Sequence, residues 1–500
     1  MFYNWAPPFD PANRGGGVSV YQDNCILSLQ ENNWEVHALS SGLAFDVLGG
    51  DPYIRSDRTI EDRMPAFELV NSPVPAPTYA SFFANQLSGG GPTDSKTAKT
   101  LIDFIGANGP YDVIHFNNLE GLPAVILPLL RKQFRKTRFI LSLHNYYPMC
   151  PQVYLWKNNS LNCDGKESGK ACVACLGRQD LASHDTRASD CVSNQIVFDA
   201  IFGTRILPQT VFLQKVIRKG SRVSKILRVL TFVRRHFGEA LAFEAKTKMH
   251  REELEPYFRT RESKFAEIIE ESFDVILCVS QRVKTIAEAA GLPSDKLRVS
   301  YIGTKVYEMS NAVISNAAVD APLNVAFLGY ANKVKGFEFL ISTLEQCPDQ
   351  LLLKLRILIA ARGITRRIRN RLSLLARKVS GLTIKNGYTH RQLAEMLRQV
   401  DLGVVPVLWE DCLPQVAIEF VCNGVPIIAS HLGGAREIAS DSAFEFKAGS
   451  HEELIGLLTK FADDKNELSQ FWNNKLMLKS MGMHISELVG HYGKGLQRSA

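Results

Sequence analysis

Apolar and polar positions along most of the chain alternate between the spacing of a helix and that of a short strand. Val18–Gln30 has helical spacing and Trp34–Leu39 follows as a strand. A helical stretch from residue 123 to about residue 134 then separates two apolar runs of strand type, Asp112–Phe116 and Phe139–Leu143. Such alternation predicts a parallel sheet with helices on both faces.

The alternation stops after these strands and resumes only near residue 274. Residues 150–272 comprise a loop rich in Cys, Gly and Asn, then a basic stretch, then a charged helical run from residue 239 to residue 271. The pattern returns with the strand Asp274–Val279, the helix Gln281–Ala290 and the strand Lys296–Tyr301. We therefore interpret residues 150–272 as a helical and loop insertion in the first α/β unit.

A second α/β unit follows the small-residue linker 306–322. Its predicted elements are, in chain order, the strand Leu323–Leu328, the helix Gly336–Glu345, the strand Leu351–Ala360, the helix His390–Arg398, the strand Leu402–Val407, the helix Pro414–Asn423 and the strand Val425–Ser430. Two doubly wound units place a cleft between the carboxyl ends of two sheets. We predict an N-terminal domain over residues 1–305, a C-terminal domain over 323–480 and a C-terminal helix or tail over 481–500.

The net charge is concentrated in one segment of the chain. The 500 residues include 58 Lys and Arg and 51 Asp and Glu, a formal charge of +7. Residues 213–237 contain eight of the basic side chains and no acidic one, so the remaining residues hold 50 basic and 51 acidic side chains. A pI near 8.8 therefore does not indicate a nucleic-acid-binding protein.

The basic segment has the pattern of an amphipathic helix. Its apolar side chains recur at three- and four-residue steps: Val223, Ile226, Leu230, Val233 and Phe237. The helix either packs on the body of the protein or lies on an anionic membrane surface. Because no apolar run approaches about 18 residues and no signal peptide is visible, we predict a cytoplasmic protein, or one held at the inner face of the membrane.

Residues 406–437 form the most informative block. Pro414 suits the start of a helix that ends before Gly424, and the free N–H groups at such a start favour an anion. Glu419 lies among apolar neighbours, so its carboxylate is expected to face the cleft. Asp411 either caps this helix or borders the site, and the two roles are compatible. Arg436 and Glu437 fit a surface pair.

This block resembles the signature of family 4 glycosyltransferases, retaining sugar transferases of the GT-B fold. Glu419 matches the second of the two signature glutamates, and Asp411 stands eight positions earlier in place of the first. The resemblance implies that Glu419 holds the nucleotide ribose and that Asp411 lies by the donor sugar. It also implies a donor site lined by Glu410, Leu413, Pro414, Gly433 and Gly434.

Two further blocks are similar to the same family. In Phe327–Ile341, Lys335–Gly336 and Gly329 match residues that bracket the donor diphosphate, whereas Tyr330 replaces an arginine, for which Lys333 is a candidate substitute. Near the N-terminus, the Gly-rich run 14–17 resembles the family's Gly-Gly loop. Gly16 and Gly17 would let the substrate approach the backbone.

The third block, residues 139–156, resembles the family's strand followed by H-D-Y-x-x-x-C-P. His144 matches a histidine that reaches the donor sugar, and Asn145 stands at the aspartate position. His115 and Asn117 end another strand and fit either the acceptor border or a neutral role. Four thiols with the spacing C-x12-C-x8-C-x2-C form a candidate structural zinc site: Cys150, Cys163, Cys172 and Cys175.

The sequence thus predicts a GT-B enzyme that moves a sugar from a nucleotide-diphosphate sugar to a saccharide or lipid-linked acceptor, in the synthesis of cell-surface polysaccharide or glycolipid. His144, Asp411 and Glu419 are the predicted catalytic residues. The resemblance implies no cofactor for catalysis, since Lys335 and backbone dipoles would take the place of a divalent ion. Two alternatives are a nucleotide-sugar epimerase on the same fold and an inactive scaffold, the latter because of the replacements at Asn145, Tyr330 and Asp411.

Overall fold

The structure is a computed structural model that describes residues 1–10, 15–44, 51–57, 63–74, 76, 92–157, 160–163, 169–177, 251–309, 321–439, 441–473 and 478–493. The basic segment 213–237 and its predicted membrane-facing helix lie outside these ranges, as does Arg14. Within the ranges given, none of the helices combines the length and the apolar character needed to cross a membrane.

The N-terminal half is built on an eight-stranded sheet. Its order is β10-β9-β6-β5-β1-β2-β4-β3, and all neighbours are parallel except the edge pair β3 and β4. The short strands β7 and β8 pair only with each other. The strands are β1 (Phe2–Tyr3), β2 (Ala38–Ser41), β3 (Tyr53–Ser56), β4 (Ala66–Val70), β5 (Val113–Phe116), β6 (Arg138–Leu143), β7 (Trp156–Lys157), β8 (Leu161–Asn162), β9 (Val275–Cys278) and β10 (Leu297–Val299).

Helices cover this sheet, and one of them, at the end of the predicted insertion, packs on helices from earlier in the chain. Those in the described ranges are α1 (Gly17–Glu31), α2 (Pro92–Asn108), α3 (Leu127–Gln133), α4 (Lys170–Gly177), α5 (Arg251–Ser272) and α6 (Gln281–Ala289), with a 3-10 turn at Ala124–Ile126. Helix α5 packs on α3 and α4. Its buried Arg261 donates to the carbonyl oxygens of Tyr147 at 2.6 Å and Pro148 at 2.9 Å. The insertion thereby fixes the segment that follows β6.

The C-terminal half is built on a six-stranded, wholly parallel sheet of order β14-β13-β12-β15-β16-β17. After β11 (Gly303–Thr304) and α7 (Lys305–Met309), its strands are β12 (Leu323–Tyr330), β13 (Leu355–Arg362), β14 (Gly381–Lys385), β15 (Leu402–Val405), β16 (Ile427–Ser430) and β17 (Glu445–Phe446). The helices are α8 (Phe337–Gln346), α9 (Asp349–Leu352), α10 (Arg366–Leu375), α11 (His390–Leu397), α12 (Gln415–Cys422), α13 (Ala435–Ala439) and α14 (His451–Asp463). Two 3-10 helices, Ser442–Phe444 and Lys465–Trp472, complete this half.

The last helix that the structure describes packs on the N-terminal half, although it follows the C-terminal sheet in sequence. Strand β18 (Lys479–Ser480) pairs with β11, and α15 (Met481–Tyr492) packs on α1. The Tyr492 hydroxyl lies 2.8 Å from Nδ1 of His115, whose Nε2 lies 2.7 Å from Oγ of Ser142. His115 is therefore a hydrogen-bonded core residue beneath this last helix, which agrees with the neutral role.

The predicted pair of doubly wound α/β units is confirmed, with differences in individual elements. The predicted strand at Leu351–Ala360 is wrong in its first part, because α9 begins directly after Pro348 and β13 starts only at Leu355. The sequence pattern also missed the two-residue strand β1 and the Arg-rich helix α10. In α10 only Ile368, Leu372 and Leu375 are buried.

Candidate active site

The candidate site lies at the switch point of the C-terminal sheet, where β12 has β13 on one side and β15 on the other. Ligands of open α/β sheets bind in the crevice at such a point. Gly336 has a φ of 72°, and a Cβ there would come within 1.6 Å of the Pro406 carbonyl oxygen. Only glycine allows this approach, which brings the loop after β12 against the loop after β15.

Lys335 and Asp411 form an ion pair across these two loops. Lys335 Nζ contacts Asp411 Oδ2 and lies 5.6 Å from the centre of the Trp409 ring. The Asp411 side chain is buried and that of Lys335 is 30% exposed. The N-cap of α12 is Pro414, with no side-chain cap, so a capping role for Asp411 is wrong. Its carboxylate instead neutralises the cation predicted to meet the donor diphosphate.

Glu410 joins the two halves of the chain. Arg282, at the start of α6, donates from Nε to Oε2 at 3.0 Å and from Nη2 to Oε1 at 2.6 Å. The Gly433 N–H donates to the same carboxylate at 2.9 Å, and Gly434 packs on the Ser280 side chain. The hydrogen bond to Glu410 raises the pKa of Arg282. Glu410 thus serves as a contact between the halves, and Gly433 and Gly434 lie beside it.

Glu437 is a second tie between the halves, and interpreting it as part of a surface pair is wrong. Its carboxylate accepts the backbone N–H groups of Gln281 at 2.9 Å and Arg282 at 2.6 Å, and the Tyr301 hydroxyl at 2.8 Å. A carboxylate at the first turn of α6 is favoured by the helix dipole. No local sequence signal identifies this role, since the partners lie 136 to 156 residues away along the chain.

Glu419 lies on α12 and is buried, with both oxygens engaged. The Tyr388 hydroxyl donates to Oε2 at 2.5 Å, and His390 Nε2 lies 3.2 Å from Oε1. Burial and the neighbouring carboxylate raise the pKa of Tyr388, so its hydroxyl keeps the proton that it donates. The hydrogen bond to Glu419 raises the pKa of His390. Sequence reasoning missed both partners, which precede and begin α11.

The two halves also meet at their helix N-termini. Gly16 is the N-cap of α1 with a φ of 59°, and Gln415, the first residue of α12, donates from Nε2 to the Gly17 carbonyl oxygen at 2.8 Å. Gly329, at the end of β12, faces the side chain of Val416. The positive ends of α1 and α12 are thus neighbours, which favours an anion between them.

His144 lies at the end of β6 beneath the first helix. Its ring centre is 4.7 Å from that of Tyr21, and its buried Nε2 has no hydrogen-bond partner among the described residues. Burial lowers its pKa to about 3, so the imidazole is neutral near pH 7. The Tyr21 hydroxyl lies 2.8 Å from Nε2 of His484 on α15.

The contacts of Asn145 explain why asparagine stands at the position where the family pattern has aspartate. Its side-chain amide donates to Glu120 Oε1 at 2.8 Å, and its carbonyl oxygen accepts the Tyr147 N–H at 3.0 Å. Glu120 is buried. A second carboxylate at position 145 would repel it, whereas the amide can donate to it.

The His144 block lies against the signature block. The rings of Tyr154 and Trp409 meet edge to face, with centres 4.9 Å apart, and the Tyr146 side chain lies beside the Cys412 thiol. Leu413 is buried directly after this contact. The structure therefore brings together the Gly-rich loop, the His144 block, the Lys335 loop and the α12 segment, although they are spread over some 400 residues of sequence.

The four thiols of the predicted zinc site share one region. Cys150, Cys163, Cys172 and Cys175 form no disulfide within the part of the chain that the structure describes, and the first three are close enough to influence one another electrostatically. Burial chiefly raises the pKa of Cys150 to about 12 and that of Cys172 to about 11. In the described ranges, no three His, Cys, Asp or Glu residues are placed to hold a metal ion. Zinc binding stays a prediction from sequence spacing.

Comparisons with known proteins agree with this architecture. Residues 322–464 match the family model "Glycosyl transferases group 1". Similar solved structures include HepE of Anabaena in complex with UDP and glucose, with 12% identity, 98% of both chains covered and a TM-score of 0.52. They also include sucrose-phosphate synthase of Thermosynechococcus elongatus, with 15% identity, 95% of this chain and 93% of that chain covered and a TM-score of 0.52. A glycosyltransferase of Rickettsia africae has 12% identity, 100% and 98% coverage and a TM-score of 0.53. No curated protein sequence matches the chain significantly.

The fold and these matches define the class of protein. The chain has the GT-B fold, with two doubly wound units facing each other. Its C-terminal half, from β12 to the end of α14, is a group 1 glycosyltransferase domain, and the protein is a glycosyltransferase.

Proposed function

We propose that this protein transfers a sugar from a nucleotide-diphosphate sugar to an acceptor hydroxyl with retention of the anomeric configuration. The observation that carries the proposal is Glu419, a buried carboxylate at the switch point whose two oxygens are held, among the described residues, by Tyr388 and His390. Two adjacent hydroxyl donors can replace these two donors, as the ribose of a nucleotide would.

The diphosphate would lie between the N-termini of α1 and α12, within reach of Lys335. In the free protein Asp411 neutralises this lysine, so the arriving diphosphate competes for it. As the bond between the anomeric carbon and the phosphate oxygen breaks, Lys335 and the helix dipoles stabilise the charge that develops on the leaving group. The acceptor oxygen forms the new bond on the same face, and its proton passes to the departing phosphate oxygen.

His144 would contribute a neutral imidazole to the sugar side of this site. Because its pKa is lowered to about 3, it can exchange hydrogen bonds with sugar hydroxyls without adding charge. Contacts between the two halves, chiefly Arg282 with Glu410, would exclude water and limit hydrolysis of the donor. In this proposal no metal ion is needed for the transfer.

A panel of nucleotide sugars tests the proposal. UDP-sugars come first, because a similar solved structure was obtained with UDP and glucose. We expect one donor to bind in calorimetry and to be consumed with an acceptor. Glu419→Ala should weaken binding by about ten- to a hundredfold, the loss expected for charge-assisted hydrogen bonds. The matched control is Glu395→Ala, which removes a carboxylate that is 75% exposed on α11.

Three outcomes would reject the proposal in different ways. Unchanged binding and transfer in Glu419→Ala would remove Glu419 from the site. Release of an epimerised sugar without any acceptor would favour the epimerase. Failure of every nucleotide sugar to bind the wild-type protein would favour the inactive scaffold. The relevant observation is that Lys335 is already paired with Asp411 and Glu410 with Arg282.

For the pathway, we propose synthesis of cell-surface polysaccharide or glycolipid at the cytoplasmic face of the membrane. The support is the basic, amphipathic sequence of residues 213–237. The full chain should sediment with anionic vesicles and not with neutral ones. Replacing Arg222, Lys225 and Arg228 together by glutamine should abolish this binding, and unchanged sedimentation would remove the membrane role.

A further inference from the structure

Arg362 occupies a distinctive place at the carboxyl end of β13. It pairs in register with Tyr330 at the end of β12, so both residues reach the edge of the sheet where the candidate site lies. Its side chain lies over Gly387, because a Cβ on Gly387 would come within 2.7 Å of Arg362 Cγ and 2.8 Å of its Nε. The residue after Gly387 is Tyr388, the hydrogen-bond donor to Glu419.

Tyr330, Arg362 and Tyr388 therefore form a group beside Glu419, here named the edge cluster. Tyr330 is 41% exposed, and Arg362 is exposed as well. Arg362 and Tyr330 both act electrostatically on the Tyr388 hydroxyl, in opposite directions. The three side chains thus lie close together.

Arg362 differs from Lys335 and Arg282 in having no anionic partner among the residues that the structure describes. Lys335 is paired with Asp411, and Arg282 is paired with Glu410. The Arg362 guanidinium makes no hydrogen bond or ion pair with any residue that the structure describes. It therefore presents unused N–H donors at the site, beside two aromatic rings.

The edge cluster and the Lys335 loop lie on opposite sides of β12. Lys335 meets the loop that follows β15, whereas Arg362 and Gly387 lie toward β13 and β14. With the ribose on Glu419 and the diphosphate near Lys335, the nucleobase falls on the side of the edge cluster. Aromatic rings stack on a flat base, and guanidinium N–H groups donate to a keto oxygen but cannot accept from an amino group.

We propose that Arg362 selects the nucleobase of the donor at C4 of a pyrimidine or C6 of a purine, favouring the bases with a keto oxygen there, uracil or guanine, over those with an amino group there, cytosine or adenine. This inference rests on the proposed function, since it assumes that a nucleotide binds at Glu419. An arginine that meets an amino group finds no acceptor and leaves its own donors unsatisfied. Arg362 is thus a specificity-determining residue of the nucleotide site.

Calorimetry with two matched pairs of nucleotides, UDP with CDP and GDP with ADP, tests the selection at constant salt. In each pair of similar size, the wild-type protein should bind the keto member more tightly, by about tenfold or more. Arg362→Gln can both donate and accept, so the preference should fall to about threefold or less. The matched control Arg369→Gln changes an exposed arginine of α10 and should retain the wild-type preference.

A second readout separates contact with the base from contact with phosphate. If Arg362 meets the base, Arg362→Gln lowers the affinities for UMP and UDP by the same factor. A loss that grows from UMP to UDP, an equal loss for UDP and CDP, or no loss at all overturns the selection by Arg362. Arg362→Lys keeps the charge without the planar fork, and a full retention of selectivity in that variant also contradicts the proposal.

The result also distinguishes this inference from the function on which it rests. Wild-type protein that binds no nucleotide would overturn both. Wild-type protein that binds nucleotides through Glu419, with Arg362→Gln unchanged in its preference, would overturn only the role of Arg362.

Discussion

The hydrogen bond from Tyr388 to Glu419 predicts that removing one oxygen atom strengthens nucleotide binding. In the free protein the hydroxyl donates to Oε2 at 2.5 Å, and a ribose hydroxyl would have to displace it. Tyr388→Phe keeps the ring in the edge cluster and deletes only the competing donor. The substitution therefore affects the free protein and leaves the nucleotide-bound state unchanged.

The size of the effect follows from the contact that is lost. A hydrogen bond to a charged acceptor contributes about 1.5–3 kcal/mol to stability. Tyr388 is only partly buried and water can replace its hydroxyl, so the lower limit applies. The free energy of unfolding should fall by about 1.5 kcal/mol, and affinity for the best-binding nucleoside diphosphate should rise by about tenfold.

Calorimetry and urea unfolding of the same variant measure the two changes. Tyr111→Phe is the matched control, because its hydroxyl is held by His37 at 2.8 Å in the other half of the chain. That variant should lose stability without gaining affinity. Weaker nucleotide binding in Tyr388→Phe would refute the reasoning, since it would mean that the hydroxyl stays in the site and contacts the ligand.

Three further changes have expected outcomes of different kinds. If a nucleotide displaces His390 from Glu419, the protein releases a proton on binding, because the pKa of His390 is raised in the free protein. Nucleotide affinity should then fall as the pH is lowered through that raised pKa, by at most about tenfold per pH unit, in calorimetry. Arg282→Met leaves the buried Glu410 with the Gly433 N–H as its one donor among the described residues. It should lower the free energy of unfolding by about 2 kcal/mol in urea, a value reduced for the 40% exposure of the arginine. Gly336→Ala should lower it by more than about 3 kcal/mol, because the left-handed conformation and the contact at 1.6 Å are both incompatible with a Cβ.

Each of these has its own control. His390→Gln should flatten the pH profile, and an unchanged profile in this variant would assign the proton to another group. Lys99→Met breaks an exposed pair with Asp103 and should cost less than about 1 kcal/mol, so an equal loss in Arg282→Met would contradict the buried pairing. Gly363→Ala is the control for Gly336→Ala. Gly363 also has a positive φ, but no atom lies within 4 Å of the new Cβ, so the free energy of unfolding should fall by only about 1–2 kcal/mol.

The periodicity of the sequence was sufficient to predict the two sheets. It was not sufficient to predict where several helices and strands begin. Strands such as β6 and β15 are short apolar runs that end at turn residues, and the pattern identifies them. The three leucines that precede Lys354 are equally apolar, but Leu351 and Leu352 belong to α9, the short helix that begins after Pro348. The two residues of β1 are too few for a pattern, and they form a strand only because β2 and β5 lie on either side.

The residues of the candidate site also fall into those that the sequence predicted and those that only the structure identified. Motif spacing identified Glu419 and Lys335, and the structure places Lys335 on the loop after β12 and Glu419 on α12, the helix that follows β15. It did not identify Tyr388, His390 or Glu437, whose importance depends on which loops face each other after folding. The departures at Asn145 and Asp411 became interpretable only with their partners, a buried carboxylate for the amide and a lysine for the shorter acid.

The last helix has a consequence for how this chain can be divided. Although α15 follows the C-terminal sheet in sequence, its Tyr492 and His484 contact His115 and Tyr21 in the other half. A cut within the predicted linker 306–322 would therefore leave the first fragment without part of its own interior, and the second with an exposed helix that has lost its support. Neither fragment corresponds to a complete folding unit, so the two halves of this glycosyltransferase are best studied as one covalent chain, or as fragments that are allowed to reassociate.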